Sequence, residues 1–150
     1  MLFDLLTPAE HLNMFYEFKG ADKTNKKQEI EKLLDDIGVA DKRDNLAKTL
    51  SGGNKRKLSV AIALCGGSKF VLLDEPTSGL DISARRQLWN MLKEYKKDRI
   101  VLLTTHYMDE ADILGDRIGV MHEGKMTCIG SPMFLKNRFG VGYVMTIEKS

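Results

Sequence analysis

The sequence predicts an α/β protein, a helical lobe followed by a strand–helix–strand core. Three observations predict it. The first fifty residues look helical, with apolar stripes at helical spacing. Two short apolar runs, Phe70 to Leu73 and Ile100 to Leu103, are separated by helix-spaced Leu88, Met91, Leu92 and Tyr95. Beyond the second run, His122-Glu123-Gly124 stands between two further strand-like segments as a hairpin signal.

In order, Thr7-Pro8-Ala9-Glu10 combines a capping box with proline at the first helical position, and Leu12, Phe15 and Tyr16 follow on one face. A second helix is expected from Thr24 to Ile37, with Ile30, Leu33, Leu34 and Ile37 as its stripe and Gly38 as its stop. Leu58, Ala61, Ile62 and Cys65 mark a third helix that Gly66-Gly67 end. The two apolar runs read as parallel strands buried on both faces and joined by a right-handed helical crossover. Arg117 to Met121 and Lys125 to Ile129 form the hairpin strands. A short helix from Pro132 to Arg138 and a last strand from Tyr143 to Ile147 complete the chain.

Composition bounds the function. At 150 residues the chain is long enough for one domain with a substantial core, and 43% hydrophobic with 29% charged residues is ordinary for a soluble protein. A net charge of +2 is too small to imply nucleic acid. Lys55-Arg56-Lys57 reads as a solvated helix face. No apolar stretch approaches the roughly 20 residues that span a bilayer. The amino terminus has no basic lead of a secretory signal. Cys65 and Cys128 lack metal-ligand spacing and read as reduced core or near-core thiols, which fits a cytosolic compartment.

Chemistry concentrates in three places. Asp74 and Glu75 close the first apolar run, and His106 stands just past the second. In open α/β sheets ligands bind beyond the carboxyl ends of the strands, so parallel neighbours would bring all three groups to one rim. There an aspartate can hold Mg²⁺, a hard cation that prefers oxygen. The next carboxylate can polarise a water for in-line attack on a γ-phosphate, and a histidine opposite can hydrogen-bond that phosphate. Taken alone, Asp-Glu after a strand reads as a solvated loop start; Pro76 and Ser78-Gly79-Leu80-Asp81 behind it turn that reading towards a site. Upstream, Ser51 can cap the third helix while Gly52 and Gly53 let backbone approach an oxyanion at the helix amino terminus.

Together these segments resemble the ATP-binding cassette (ABC) family. Leu50-Ser51-Gly52-Gly53-Asn54-Lys55-Arg56 is similar to its signature motif, with Asn where Gln is common. Phe70 to Glu75 resembles the Walker B strand with its catalytic glutamate, Ser78-Gly79-Leu80-Asp81 the D-loop, and His106 the switch histidine. Phe3 to Leu12 and Gly130 to Lys136, continued by Gly140-Val141-Gly142-Tyr143, resemble the A subfamily, whose members mostly export or flip lipids. The resemblance implies the carboxy-terminal part of a P-loop NTPase (RecA-like) ABC ATPase domain, with residues 1–50 as helical subdomain and 51–150 as the α/β part. It implies ATP and Mg²⁺ as cofactors, with catalytic Glu75 and His106, and Asp74 on the metal. Ser51, Gly52, Gly53, Ser78, Gly79 and Asp81 would face nucleotide. Its partners would be a second such domain, head to tail, and membrane helices, which place it at the cytosolic face of a membrane.

One departure is plain. No Gly-x-x-x-x-Gly-Lys-Ser/Thr loop occurs in these residues, and Met1 falls about where the family's glutamine loop should be ending. A truncated domain is expected, inactive alone, with an apolar sheet face uncovered. Two alternatives stand beside it. One is a catalytically silent module supplying its signature motif to another cassette; the other is a soluble ABC ATPase acting on ribosomes or DNA.

Overall fold

The computed structural model describes residues 2–140, so the strand expected at Tyr143 to Ile147 lies outside the described residues. The contacts group the chain into two units, one ending at His106 and one beginning at Tyr107.

The first unit opens with α1 (Pro8–Phe18). Its capping box forms as the sequence dictates: Thr7 Oγ1 accepts the Glu10 N–H, and Glu10 Oε2 accepts the Thr7 N–H at 2.8 Å. The next helix, α2 (Lys26–Asp36), begins two residues later than expected. The Asp22 carboxylate takes both the N–H and the hydroxyl of Thr24, at 3.0 and 2.7 Å, and so holds Thr24 in a turn rather than a helix. Gly38, at φ 64°, ends the helix from the left-handed region.

The segment that resembles the signature motif forms α3 (Gly52–Leu64). Then come β1 (Phe70–Asp74), α4 (Ile82–Tyr95) and β2 (Ile100–Thr104), a strand–helix–strand unit with β1 and β2 paired in parallel. The core lies between the helices, where Leu12, Leu33, Leu34, Leu58, Leu64 and Leu88 are at most 1% exposed.

One expectation is corrected. The two strands are not covered on both faces. Phe70, Leu72, Ile100 and Leu102 are 56 to 67% exposed, whereas Val71 and Leu73 are buried. Side chains alternate across a strand, and only the face bearing Val71 and Leu73 packs into the core. The open apolar face is the one expected of a sheet short of neighbours.

The second unit starts with α5 (Met108–Leu114), a seven-residue helix with Asp109 and Glu110 in its first turn that periodicity left unread. A hairpin follows, β3 (Ile118–His122) against β4 (Lys125–Gly130), antiparallel and bulged between Val120 and Met121. Its turn is shorter than expected, because His122 pairs with Lys125. Glu123 and Gly124 alone make the turn, at φ 48° and 73°, the two left-handed residues that a type I′ hairpin requires. Helix α6 (Pro132–Phe139) is capped by Ser131 and tied to α5 by the Lys136–Asp112 ion pair at 2.6 Å.

Candidate functional site

Pairing of β1 with β2 settles the geometry of the acidic end. The register sets Asp74 opposite Thr104, so the chain leaves both strands at the same rim. Glu75 follows Asp74 in a left-handed conformation, φ 45°, which costs a non-glycine residue on the order of 1–3 kcal/mol. Such strain persists only where neighbours hold it. Here the Glu75 N–H donates both to the carbonyl oxygen of Thr104, at 3.1 Å, and to its Oγ1, at 3.2 Å.

From that backbone the Glu75 side chain meets His106. Oε1 lies 3.1 Å from the histidine Nδ1, and both side chains are about half exposed. Asp74 stands beside them, its Oδ1 accepting the Thr104 hydroxyl proton. The expected trio Asp74, Glu75 and His106 is therefore assembled at one rim. Thr104 is the member that sequence reading missed. A threonine at the end of an apolar run reads as an ordinary strand residue, and only its register partner reveals it.

The segment expected to face phosphate is built as a helix start. Ser51, in extended conformation, caps α3 by accepting the Asn54 N–H at 3.3 Å. Gly52 and Gly53 then open the helix, where unpaired N–H groups and the positive end of the dipole favour an anion. Gly52 has open space around it. A Cβ on Gly53 would stand 3.3 Å from Leu80 Cδ2, so the Ser78-to-Asp81 loop packs directly on the α3 amino terminus. The structure thus joins these two candidate segments to each other.

Within that loop, Gly79 takes φ 75° and the Ser78 N–H bonds back to the Glu75 carbonyl at 3.1 Å. The Asp81 carboxylate caps α4, accepting the Ala84 N–H at 2.9 Å, and that bond holds it below the usual carboxylate range. Thr77 between them is fully buried, with its hydroxyl unpaired among the described residues.

The basic cluster is corrected. Lys57 does not belong to a solvated face: it is 8% exposed, and its ammonium donates to Gln87 Oε1 of α4 at 3.1 Å. Lys55 and Arg56 are partly covered. Both cysteines are free thiols, Cys65 buried and Cys128 half-buried.

Among the described residues no group of three or more His, Cys, Asp and Glu side chains converges as a metal cage. Asp74 offers a carboxylate at the end of β1, with the Glu75 carboxylate beside it against His106. That donor fits Mg²⁺, which typically takes one or two carboxylates and completes its octahedron with water and phosphate oxygens. It does not fit a structural transition metal. No described helix is long and apolar enough to cross a membrane.

Comparison with known proteins places the chain in a family. The profile of the family described as ABC transporter matches residues 2–78. The chain is 52% identical over 149 residues to the phospholipid-transporting ATPase ABCA3 of Rattus norvegicus. It is 51% identical over 150 residues to ATP-binding cassette sub-family A member 17 of the same species. With the retinal-specific phospholipid-transporting ATPase ABCA4 of Mus musculus the identity is 48% over 149 residues. These alignments take in 99 to 100% of the chain but only 6 to 9% of the relatives' own lengths. A solved structure described as an ATP-binding subunit of an ABC transporter superposes with a TM-score of 0.82 at 25% identity, over 94% of this chain and 59% of that one.

Proposed function

The chain belongs to the ABC transporter family, and from that premise we propose that it forms the hydrolytic and signature-bearing part of an ATPase domain that drives lipid transport. The observation that carries this reading is the meeting of Glu75 and His106 at 3.1 Å beside Asp74, at the carboxyl ends of two parallel strands.

In this reading Glu75 accepts a hydrogen bond from the attacking water and orients it, drawing off its proton as the new bond forms. His106 turns Nδ1 toward Glu75, and the ring stands at the rim where the γ-phosphate would lie. Asp74 holds Mg²⁺, which when bound neutralises charge on the phosphate oxygens. Ser51, Gly52 and Gly53 present the α3 amino terminus to the phosphate of a second cassette's nucleotide, and the loop through Ser78, Gly79 and Asp81 couples that contact to the hydrolytic rim. The partners are that second nucleotide-binding domain and membrane-embedded helices, which set the work at a membrane's cytosolic face. The phospholipid-transporting relatives support a lipid substrate.

No lysine-bearing phosphate loop occurs in the 150 residues, which supports weak or no ATP binding by the chain alone. The same observation favours a second reading, a silent module that completes another cassette's site through Ser51 to Gly53. One substitution separates the two. In the full-length protein, Glu75→Gln should keep bound ATP and lower turnover by about 10² to 10⁴-fold. Unchanged turnover would leave the silent module.

A further inference from the structure

We propose that Thr104 is a positioning residue whose hydroxyl sets Asp74 and Glu75 as a single unit. The inference rests on the ATPase reading above and adds to it a residue that no motif contains.

One oxygen atom serves both acidic residues. Thr104 Oγ1 donates its proton to Asp74 Oδ1 and accepts the Glu75 N–H at 3.2 Å. The register that pairs Asp74 with Thr104 puts their side chains on the same face of the two-stranded sheet. Threonine is stiff at χ1, so the strand delivers its hydroxyl at a defined height above that face. Donation to Oδ1 occupies one lone pair and fixes the carboxylate plane, which leaves the remaining lone pairs presented in one orientation. Acceptance from the Glu75 N–H helps hold the left-handed turn, φ 45°, from which the Glu75 side chain reaches His106. Metal-binding and water-orienting carboxylates are thereby referenced to one atom of the neighbouring strand. Groups that orient a metal-binding carboxylate in this way typically change metal affinity or activity by about 10 to 100-fold when removed.

Valine is the test, since it keeps the shape and β-branching of threonine and deletes the hydroxyl. Without it Glu75 retains only the Thr104 carbonyl as acceptor, and Asp74 loses its fixed partner. In the full-length protein, Thr104→Val should lower kcat by about 10 to 100-fold with little change in KM for ATP. It should also weaken Mn²⁺ binding by a similar factor, read by electron paramagnetic resonance with a non-hydrolysable ATP analogue and hence without turnover. Thr104→Ser, which restores the hydroxyl, should recover both. Thr104→Ala gives the same readouts should the valine protein fail to accumulate. Wild-type kcat and Mn²⁺ affinity in a hydroxyl-free variant, alongside a Glu75→Gln protein that has lost turnover, would overturn the role of Thr104 and leave the ATPase reading intact. A Glu75→Gln protein that still turns over would overturn both.

Discussion

Nδ1 of His106 lies 3.1 Å from Oε1 of Glu75, although a whole helix separates the two residues along the chain. Parallel pairing of β1 with β2 is what closes that distance, because it ends both strands at one rim. His106→Ala should therefore lower turnover of the full-length protein by about 10² to 10³-fold, the usual cost of losing one donor to developing charge. Nucleotide binding measured on the same variant should remain. Unchanged turnover would remove His106 from the site.

Lys19, at the end of α1, holds the far end of the signature helix. Its ammonium donates to the carbonyl oxygens of Ile62, Ala63 and Cys65, at 2.7, 2.9 and 2.9 Å. These are among the carbonyls that a helix terminus leaves without partners, and the cation sits at the negative end of the α3 dipole. Lys19→Met should cost about 1–2 kcal/mol in urea unfolding, since charge-assisted bonds are worth about 1.5–3 kcal/mol and solvent discounts an exposed lysine. Lys19→Arg should recover part of the loss.

Tyr16 makes stability fall at high pH. Its buried hydroxyl donates to Glu29 Oε2 and to the Asp22 carbonyl, both at 2.9 Å. Burial first, then the Glu29 carboxylate, push the phenol from 10.0 up to about 12. The folded state therefore favours the protonated form. That contribution is complete below pH 10, shrinks as pH rises through about 12, and should vanish in Tyr16→Phe. Denaturation midpoints measured from pH 9 to 12 would show the two curves converging; parallel curves would refute the assignment.

The open sheet face should make the 150-residue chain associate. Leu72 and Ile100 are 63 and 67% exposed beside Phe70 and Leu102. Covering such side chains returns about 1.5–3 kcal/mol each. Sedimentation velocity should show mass rising with concentration. The double change Leu72→Lys with Ile100→Lys should suppress it, and an unaltered profile would place the sticky surface elsewhere.

Much of this site is legible from the chain because its signals are local. Ser51 caps α3, Thr7 and Glu10 cap α1, and Asp74-Glu75 follows an apolar run of the right length; each depends on neighbours a few residues away. Thr24 shows the limit of such reading, since an aspartate two residues back accepts both its N–H and its hydroxyl and holds it in a turn. Lys57 shows another limit. Its neighbours Lys55 and Arg56 suggest a solvated face, but α4 lies against it and Gln87 accepts its proton.

By itself the sequence determined most of the element types, the caps at Thr7 and Ser51, the identity of the acidic pair and the family, because these are written in spacing and in side-chain chemistry at short range. Only the tertiary structure decided that Glu75 meets His106, that Leu80 packs on Gly53, and that one hydroxyl of Thr104 serves both carboxylate residues. Those relationships come from strand register and helix docking. Both are set by burying apolar faces that lie tens of residues apart, and no local pattern encodes them.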